Sequence, residues 1–564
     1  MTLRSRASAL RFAALTLAAM AFLSGCAGLT RLSGRSEAMR DYTKANPRAD
    51  LSQARFLWED FGTLGSHSLE TVATPWKLAV TALLLDQAPA LGLPIERASL
   101  RPVLEGFGFL YPDSIGNWSD VAAPRPRIEG PLGILRGMAR PRVPGFELEV
   151  ANLGCASCHA GTLFDAEGAP TNVAWLGVPN HSLDLGAYAR SMFRGLGLVL
   201  ADEKGALATM ERLFPEMSGS EKRTMRDFVL PQLRRRWPVL ARTTGLPVPF
   251  DNGGPGYTNG VAAFKFQLGR LDTATSVGRE RGFTSIPSLW SRAFRRSLLV
   301  DGIYARPGTP RFGEVAADSA TRARLDDLAH IDAFVTVGTA GNSLAGAERA
   351  IPHMQETMRF LADERPPRFP GRIDSVKARA GQAIFALHCS GCHGTYDESI
   401  ERPRLRSYPN RLLPQAELGT DSVRWSLVDS AALSAHDKTW RPFDRQISAV
   451  RTGGYVAPLL TGLWATAPYL HNGSVPTLWH LMHPGERPQK FMVGGNRYDL
   501  EKVGIALVPG EDGVAHYPEG YNPPSRPAVY DTRLPGLANT GHTRQFARLS
   551  EDERAQLLEY LKTL

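Results

Sequence analysis

Two pentapeptides repeat one frame, Cys155-Ala156-Ser157-Cys158-His159 and Cys389-Ser390-Gly391-Cys392-His393. Thiols two residues apart can serve as disulfides, a four-thiolate zinc site, a redox dithiol or the attachment point of a haem. The histidine that directly follows separates these chemistries. Both thiols reach the two vinyl groups of one porphyrin edge, and the next side chain turns its imidazole onto the iron. Zinc or dithiol chemistry asks for no histidine there. The chain has 5 cysteines, and the two frames use all but Cys26. They point to two covalently bound c-type haems, with Cys155, Cys158, Cys389 and Cys392 as attachment thiols and His159 and His393 as proximal iron ligands.

The elements that position these residues differ between the two sites. Ahead of the second lies "ARAGQAIFALHCSGCH", where Gly381 and Phe385 share one helical face just before the first thiol. The chain ends in "LSEDERAQLLEYLKTL", with Ser550 and Glu553 spaced as a capping box ahead of Leu557, Leu558, Tyr560 and Leu561. These two helices are expected to cross as in a cytochrome c fold, and small Gly381 permits their close approach. The first site lacks such a lead-in helix: "GFELEVANLGCASCH" reads as extended chain entering a loop.

Helical periodicity recurs around 74–110, 200–240, 318–338 and 344–363. Long connections rich in glycine and proline intervene, consistent with 54 glycines and 41 prolines. "DNGGPGYTNG" at 251–260 lacks the spacing and the strand-turn-helix context of a phosphate loop and reads as a turn near a cofactor. The expected fold is mainly α, two cytochrome c-like haem domains with long irregular loops. In "ADERPPRFPGRID", 362–374, proline and charge replace apolar periodicity, which marks a boundary. The expected division is a leader over 1–25, a tether and arm over 26–84, a modified first haem domain over 85–365 and a second haem domain over 366–564.

The leader reading rests on a basic start, an apolar run over 12–23 too short to span a bilayer, and Leu23-Ser24-Gly25-Cys26. That ending resembles a bacterial lipobox, which implies acylation at Cys26 and a body facing the periplasm or outer surface. Removing Arg4, Arg6 and Arg11 takes three charges from the formal +9. The remainder is weakly basic, and Arg234 to Arg236 read as a solvated helix face rather than a nucleic-acid patch.

At "GLWATAPYLHNGSVPTLWHLM", 462–482, the chain resembles the bacterial di-haem cytochrome c peroxidase superfamily, which carries a similar Ala-Pro-Tyr-x-His-Asx-Gly-Ser loop. "RPQKFMVGGNRYDLEKVG" and "YDTRLPGLANTGH" are similar to the branch that includes the rubber oxygenases, and "IPSLWSR" and "GPGYTNG" to its first-domain motifs. The resemblance covers roughly 85–564, more strongly in the second domain. It implies one haem open to peroxide or dioxygen and one six-coordinate haem that passes electrons. The position of the usual methionine ligand is Gly485 here, with Met482 nearby as a minor candidate. His542 in "NTGH" resembles the segment that supplies a second histidine ligand, which implies a lower potential than methionine would give. Trp290 is similar in position to the tryptophan between the haems. His471 is expected to hold the loop and haem edge by hydrogen bonds, and His480 and His483 to be packing or surface residues.

His181, 22 residues past His159, is a candidate distal ligand or proton-moving group. Three functions stay open: a peroxidase fed by a small cytochrome or cupredoxin, a dioxygenase that cleaves an apolar isoprenoid, and an electron carrier with both irons closed.

Overall fold

Helix α1 (Trp76–Gln87) is apolar around its whole circumference, and ten of its residues are buried. A helix of that kind belongs inside. Of its two charged residues, Asp86 pairs with Arg194 at 2.8 Å, and Lys77 is buried between Glu149 (3.1 Å) and Glu221 (2.7 Å), which satisfies the ammonium within the core. The computed structural model describes residues 36–64, 73–119, 126–139, 145–244, 251–267, 281–317, 322–340, 342–440 and 447–564. The leader and Cys26 lie outside them.

After α1, strands β1 (Ile134–Ala139) and β2 (Leu148–Leu153) pair antiparallel, from Ile134 opposite Leu153 to Ala139 opposite Leu148. β2 delivers the chain to a single helical turn, α2 (Cys155–His159). Strands β3 (Ala160–Phe164) and β4 (Pro170–Leu176) then fold back as a second antiparallel pair. The extended approach to the first Cys-x-x-Cys-His frame is therefore as the sequence suggests. Helix α3 (Leu185–Ala201), capped by the Asp184 carboxylate on the Ala187 N–H at 2.7 Å, lies across α1. A Cβ at Gly195 would stand 2.0 Å from the Ala82 carbonyl oxygen, so glycine sets that approach.

Helices α4 (Arg322–Ala340) and α5 (Leu344–Asp363) pack together and close a core that includes Phe334, Met354 and Phe360. Beyond Asp363 the next helix starts only at Ser375. Helix α6 (Ser375–His388) is capped by Asp374 and leads into α7 (Ser390–His393). Strands β5 (Lys490–Val493) and β6 (Ala528–Asp531) pair antiparallel within a four-stranded sheet. The final helix, α8 (Glu551–Leu561), begins with the Ser550–Glu553 capping box and crosses α6. At the crossing, a Cβ on Gly381 would come within 2.0 Å of the Gln556 carbonyl oxygen.

A mainly α fold is not what forms. Helix accounts for 43% and strand for 15%, spread over several small sheets, so the architecture mixes α and β and the cytochrome c-like part is small. The strands escape a periodicity reading because their inward positions carry little hydrophobic contrast. In β1 the buried positions are Leu135, Gly137 and Ala139, against Ile134, Arg136 and Met138 outside. Among the described residues no helix is long and apolar enough to cross a membrane.

Candidate functional site

Both Cys-x-x-Cys-His frames sit on one turn of helix held by glycine contacts. At the first, Gly133 (φ +81°) allows the loop before β1 to touch Ser157: a Cβ there would lie 2.0 Å from the Ser157 nitrogen. The Gly154 N–H donates to Gly133 at 2.8 Å and the Ser157 hydroxyl to the Gly154 carbonyl at 2.7 Å. At the second, the Cys389 N–H still belongs to the last turn of α6 through Phe385, at 2.9 Å.

The cysteines are free thiols, and burial pushes Cys155 and Cys389 up to about 12. A redox dithiol needs the opposite, a thiol made acidic by its surroundings. Among the described residues no three His, Cys, Asp or Glu side chains gather as a metal site, so a four-thiolate zinc centre is not assembled either. The Cys-x-x-Cys-His order with free, buried thiols suits attachment of haem.

The two proximal histidines are oriented alike. His159 Nδ1 lies 3.0 Å from the Pro287 carbonyl, and His393 Nδ1 lies 2.9 Å from the Pro458 carbonyl. A carbonyl only accepts, so each Nδ1 carries the proton and each Nε2 keeps its lone pair for a metal. Burial lowers both rings below the usual imidazole value, His159 to about 4, which keeps them neutral as ligation demands.

The sites differ in what stands opposite. The rings of His393 and His542 lie 6.1 Å apart between centroids and 28° from parallel. Two metal–nitrogen bonds of about 2 Å each, plus the half-width of two imidazoles, fill such a gap. Burial, then His393 and Arg487, hold His542 down at about 3, and its Nδ1 has no partner in the protein. The backbone at His542 is left-handed (φ 60°), a conformation that persists only where the surroundings impose it. Arg487 imposes it. Its buried guanidinium donates to the carbonyls of Asn539 and Gly541, just before His542, and to those of His480 and Leu481.

Near the first frame, Asn180 ties its loop to the turn, its N–H on the Cys158 carbonyl (2.8 Å) and its side chain on the Ser157 carbonyl (3.1 Å). His181 follows. Both of its ring nitrogens are buried without a partner, burial holds it at about 4, and no second imidazole stacks on His159 among the described residues. His181, Gly256 and Tyr257 line a cavity of ≈30 Å³, room for a water or two. The turn at 251–260 thus borders this cavity.

Trp290 is 1% exposed and touches backbone near each frame. A Cβ at Gly177 would be 3.0 Å from its Nε1, and one at Gly462 would be 2.0 Å from its Cζ3. Gly177 donates to the His159 carbonyl at 2.8 Å, and Gly462 is four residues past Pro458. The Trp290 Nε1, the Arg292 Nε and the Asp332 Oδ2 are all buried without partners, although Arg292 pairs with Asp332 at 3.0 Å. Two orphaned donors beside the first frame suit a group that brings carboxylates, as haem does. The residues present therefore fit the cofactor.

The remaining histidines are placed elsewhere. His471 stacks on Tyr455 at 4.3 Å, its carbonyl accepts from the Ser285 N–H at 2.9 Å, and its Nε2 is buried without a partner. His480 meets the Thr477 hydroxyl at 2.8 Å, and His483 meets the Glu551 carboxylate at 2.8 Å. Met482 is a buried core residue, and Gly485 lies in a short turn. Sequence reasoning missed Pro287, Pro458, Arg487 and the Arg292–Asp332 pair. The prolines in "IPSLW" and "APLLTGLW" were the available signal, since each lies shortly before a tryptophan.

Two uncharacterized proteins of Sinorhizobium fredii are similar to this chain. One, y4iM, is 32% identical over 242 residues, 36% of this chain and 52% of that protein. The other, y4iJ, is 30% identical over 262 residues, 36% of this chain and 41% of that protein. The chain spans about half the length of the curated relatives it matches, or less. The stretch from β-strand residue Gly454 to Met492, which holds Pro458, Trp290's neighbour Gly462 and His471, matches the RoxA-like, cytochrome c-like family model at residues 454–492, and a cytochrome c-like segment of that kind implies covalently bound haem.

Proposed function

We propose that the protein is a di-haem c-type cytochrome that reduces hydrogen peroxide at the His159 centre, with electrons delivered through the His393 centre. The observation that carries this is the asymmetry of the sites. Both proximal imidazoles are oriented by a proline carbonyl, yet among the described residues only His393 faces a second imidazole, His542. Haem supplies the electron and oxidant chemistry when bound. The chain's own residues supply ligation, orientation and proton movement. His181, neutral and unpartnered beside a water-sized cavity, is placed to take a proton from one peroxide oxygen and return it to the other. Trp290 touches Gly177 and Gly462, near the first and second frames respectively, which supports a role in passing electrons between the centres.

The donor is a small redox protein such as a cytochrome or cupredoxin. The body is exported and tethered through lipid at Cys26, which palmitate labelling lost in Cys26→Ser would show. No nucleic-acid partner is part of this reading.

The test is carbon monoxide binding to the dithionite-reduced holoprotein, with haem counted as the pyridine haemochrome. Two haems per chain with one binding carbon monoxide, and peroxide-dependent oxidation of a reduced cytochrome, support the proposal. No binding at either iron overturns it in favour of an electron carrier. The RoxA-like match favours a second reading, a dioxygenase acting on an apolar isoprenoid, for which oxygen uptake with that substrate replaces peroxide turnover.

A further inference from the structure

The segment between α5 and α6 walls a cavity of ≈560 Å³ that neither Cys-x-x-Cys-His frame, nor His181, nor His542 lines. Its volume lies in the range of small-molecule sites, roughly 300–1,000 Å³. Four arginines line it, Arg365 half-buried and Arg368, Arg402 and Arg404 exposed. Among the described residues none of the four forms an ion pair, and Arg402 donates to the Pro366 carbonyl at 3.0 Å. Of the carboxylates on the same wall, Glu364 accepts from the Asn117 side chain at 2.8 Å and attracts Arg402 without pairing with it, while Asp363 and Glu401 are exposed and form no ion pair with the four arginines. The fifth cation, Lys562, is taken by Glu559 at 2.6 Å.

Burial, then repulsion from Arg365 and Arg368, holds Arg402 below the usual guanidinium value. Crowding like charges in a concave wall is unfavourable unless an anion enters, and planar guanidiniums match oxyanions in paired hydrogen bonds. We propose that this cavity binds a free small polyvalent oxyanion of the di- or tricarboxylate class. The site bears on electron passage by position. Ser291 and Pro366 both line it; Ser291 directly follows Trp290 and donates to Thr461 at 2.8 Å, and Pro366 crowds Gly462 together with the Trp290 ring.

The experiment is calorimetric titration of the holoprotein with citrate at low ionic strength, with acetate as the monovalent comparison. Expected is saturable one-to-one citrate binding, with acetate weaker by about tenfold or more. Arg365→Gln and Arg402→Gln should each weaken citrate by about tenfold, the scale of one charged hydrogen bond. Arg368→Gln, at an exposed position that folding does not depend on, should weaken it too. Arg406→Gln, whose arginine pairs with Asp397 at 3.2 Å outside the cavity, should not. Haem content and the Soret band stay unchanged in all four. Absence of saturable binding overturns the proposal, as does equal loss in Arg406→Gln. Loss of haem or a shifted Soret band in Arg365→Gln or Arg402→Gln also overturns it, because these arginines would then serve the carboxylates of the haem. None of these outcomes depends on whether peroxide is turned over.

Discussion

At the scale of single residues, the His393–His542 pair makes the firmest demands on experiment. Replacing His542 with alanine removes the ring that faces His393, so the carbon monoxide stoichiometry of the reduced protein should rise from one to two per chain. Replacing it with methionine should raise the potential of that centre by on the order of 100 mV, within the roughly 0.8 V that axial ligands span, as a redox titration would show. His181→Ala should lower peroxide turnover by about 100-fold or more while carbon monoxide binding persists, since only proton movement is lost. Side chains with a diagnostic type and spacing were legible in the sequence. Cys155, His159, Cys389 and His393 declare themselves, and His542 came from a short resemblance. Groups that act through the backbone were not, because the Pro287 and Pro458 carbonyls look like any others until the fold brings a ring nitrogen within 3 Å. Arg487 was equally hidden, since an arginine that serves five hydrogen bonds to carbonyls has no sequence signature.

At the scale of elements, the α6–α8 crossing follows from local rules. Asp374 and the Ser550–Glu553 box start the two helices, and Gly381 lets them touch. Gly381→Val pushes a Cβ carrying two methyl groups against the Gln556 carbonyl and should cost at least about 1–3 kcal/mol, visible as a lower thermal midpoint of the holoprotein. The same substitution at Gly391, where a Cβ meets nothing within 4 Å, should leave the midpoint near the parent's. The strands were illegible for the converse reason. Pairs such as β1–β2 are short, and their inward residues include glycine and alanine, so they show no alternation of strong hydrophobes.

For the whole molecule, the segment that joins α5 to α6 ties the first Cys-x-x-Cys-His frame to one acid. Glu364 accepts from Asn117, and Asn117 exchanges two hydrogen bonds with Leu176, next to Gly177 and the His159 carbonyl. Burial raises Glu364 to about 7 from an ordinary carboxylate value of 4.5. Between those values the folded state holds more proton than the unfolded one. The stability contributed is complete below about pH 4.5 and is lost as the pH rises through about 7. The thermal midpoint should therefore fall more between pH 5 and pH 8 in the parent than in Glu364→Gln.

The raised thiols carry a different lesson, about biogenesis. With Cys155 and Cys389 pushed up to about 12 by burial, a chain that has already folded offers little thiolate to a vinyl group at neutral pH. Haem offered to the unfolded chain should therefore be attached faster than haem offered to the folded apoprotein, as covalent haem stain followed over time would show.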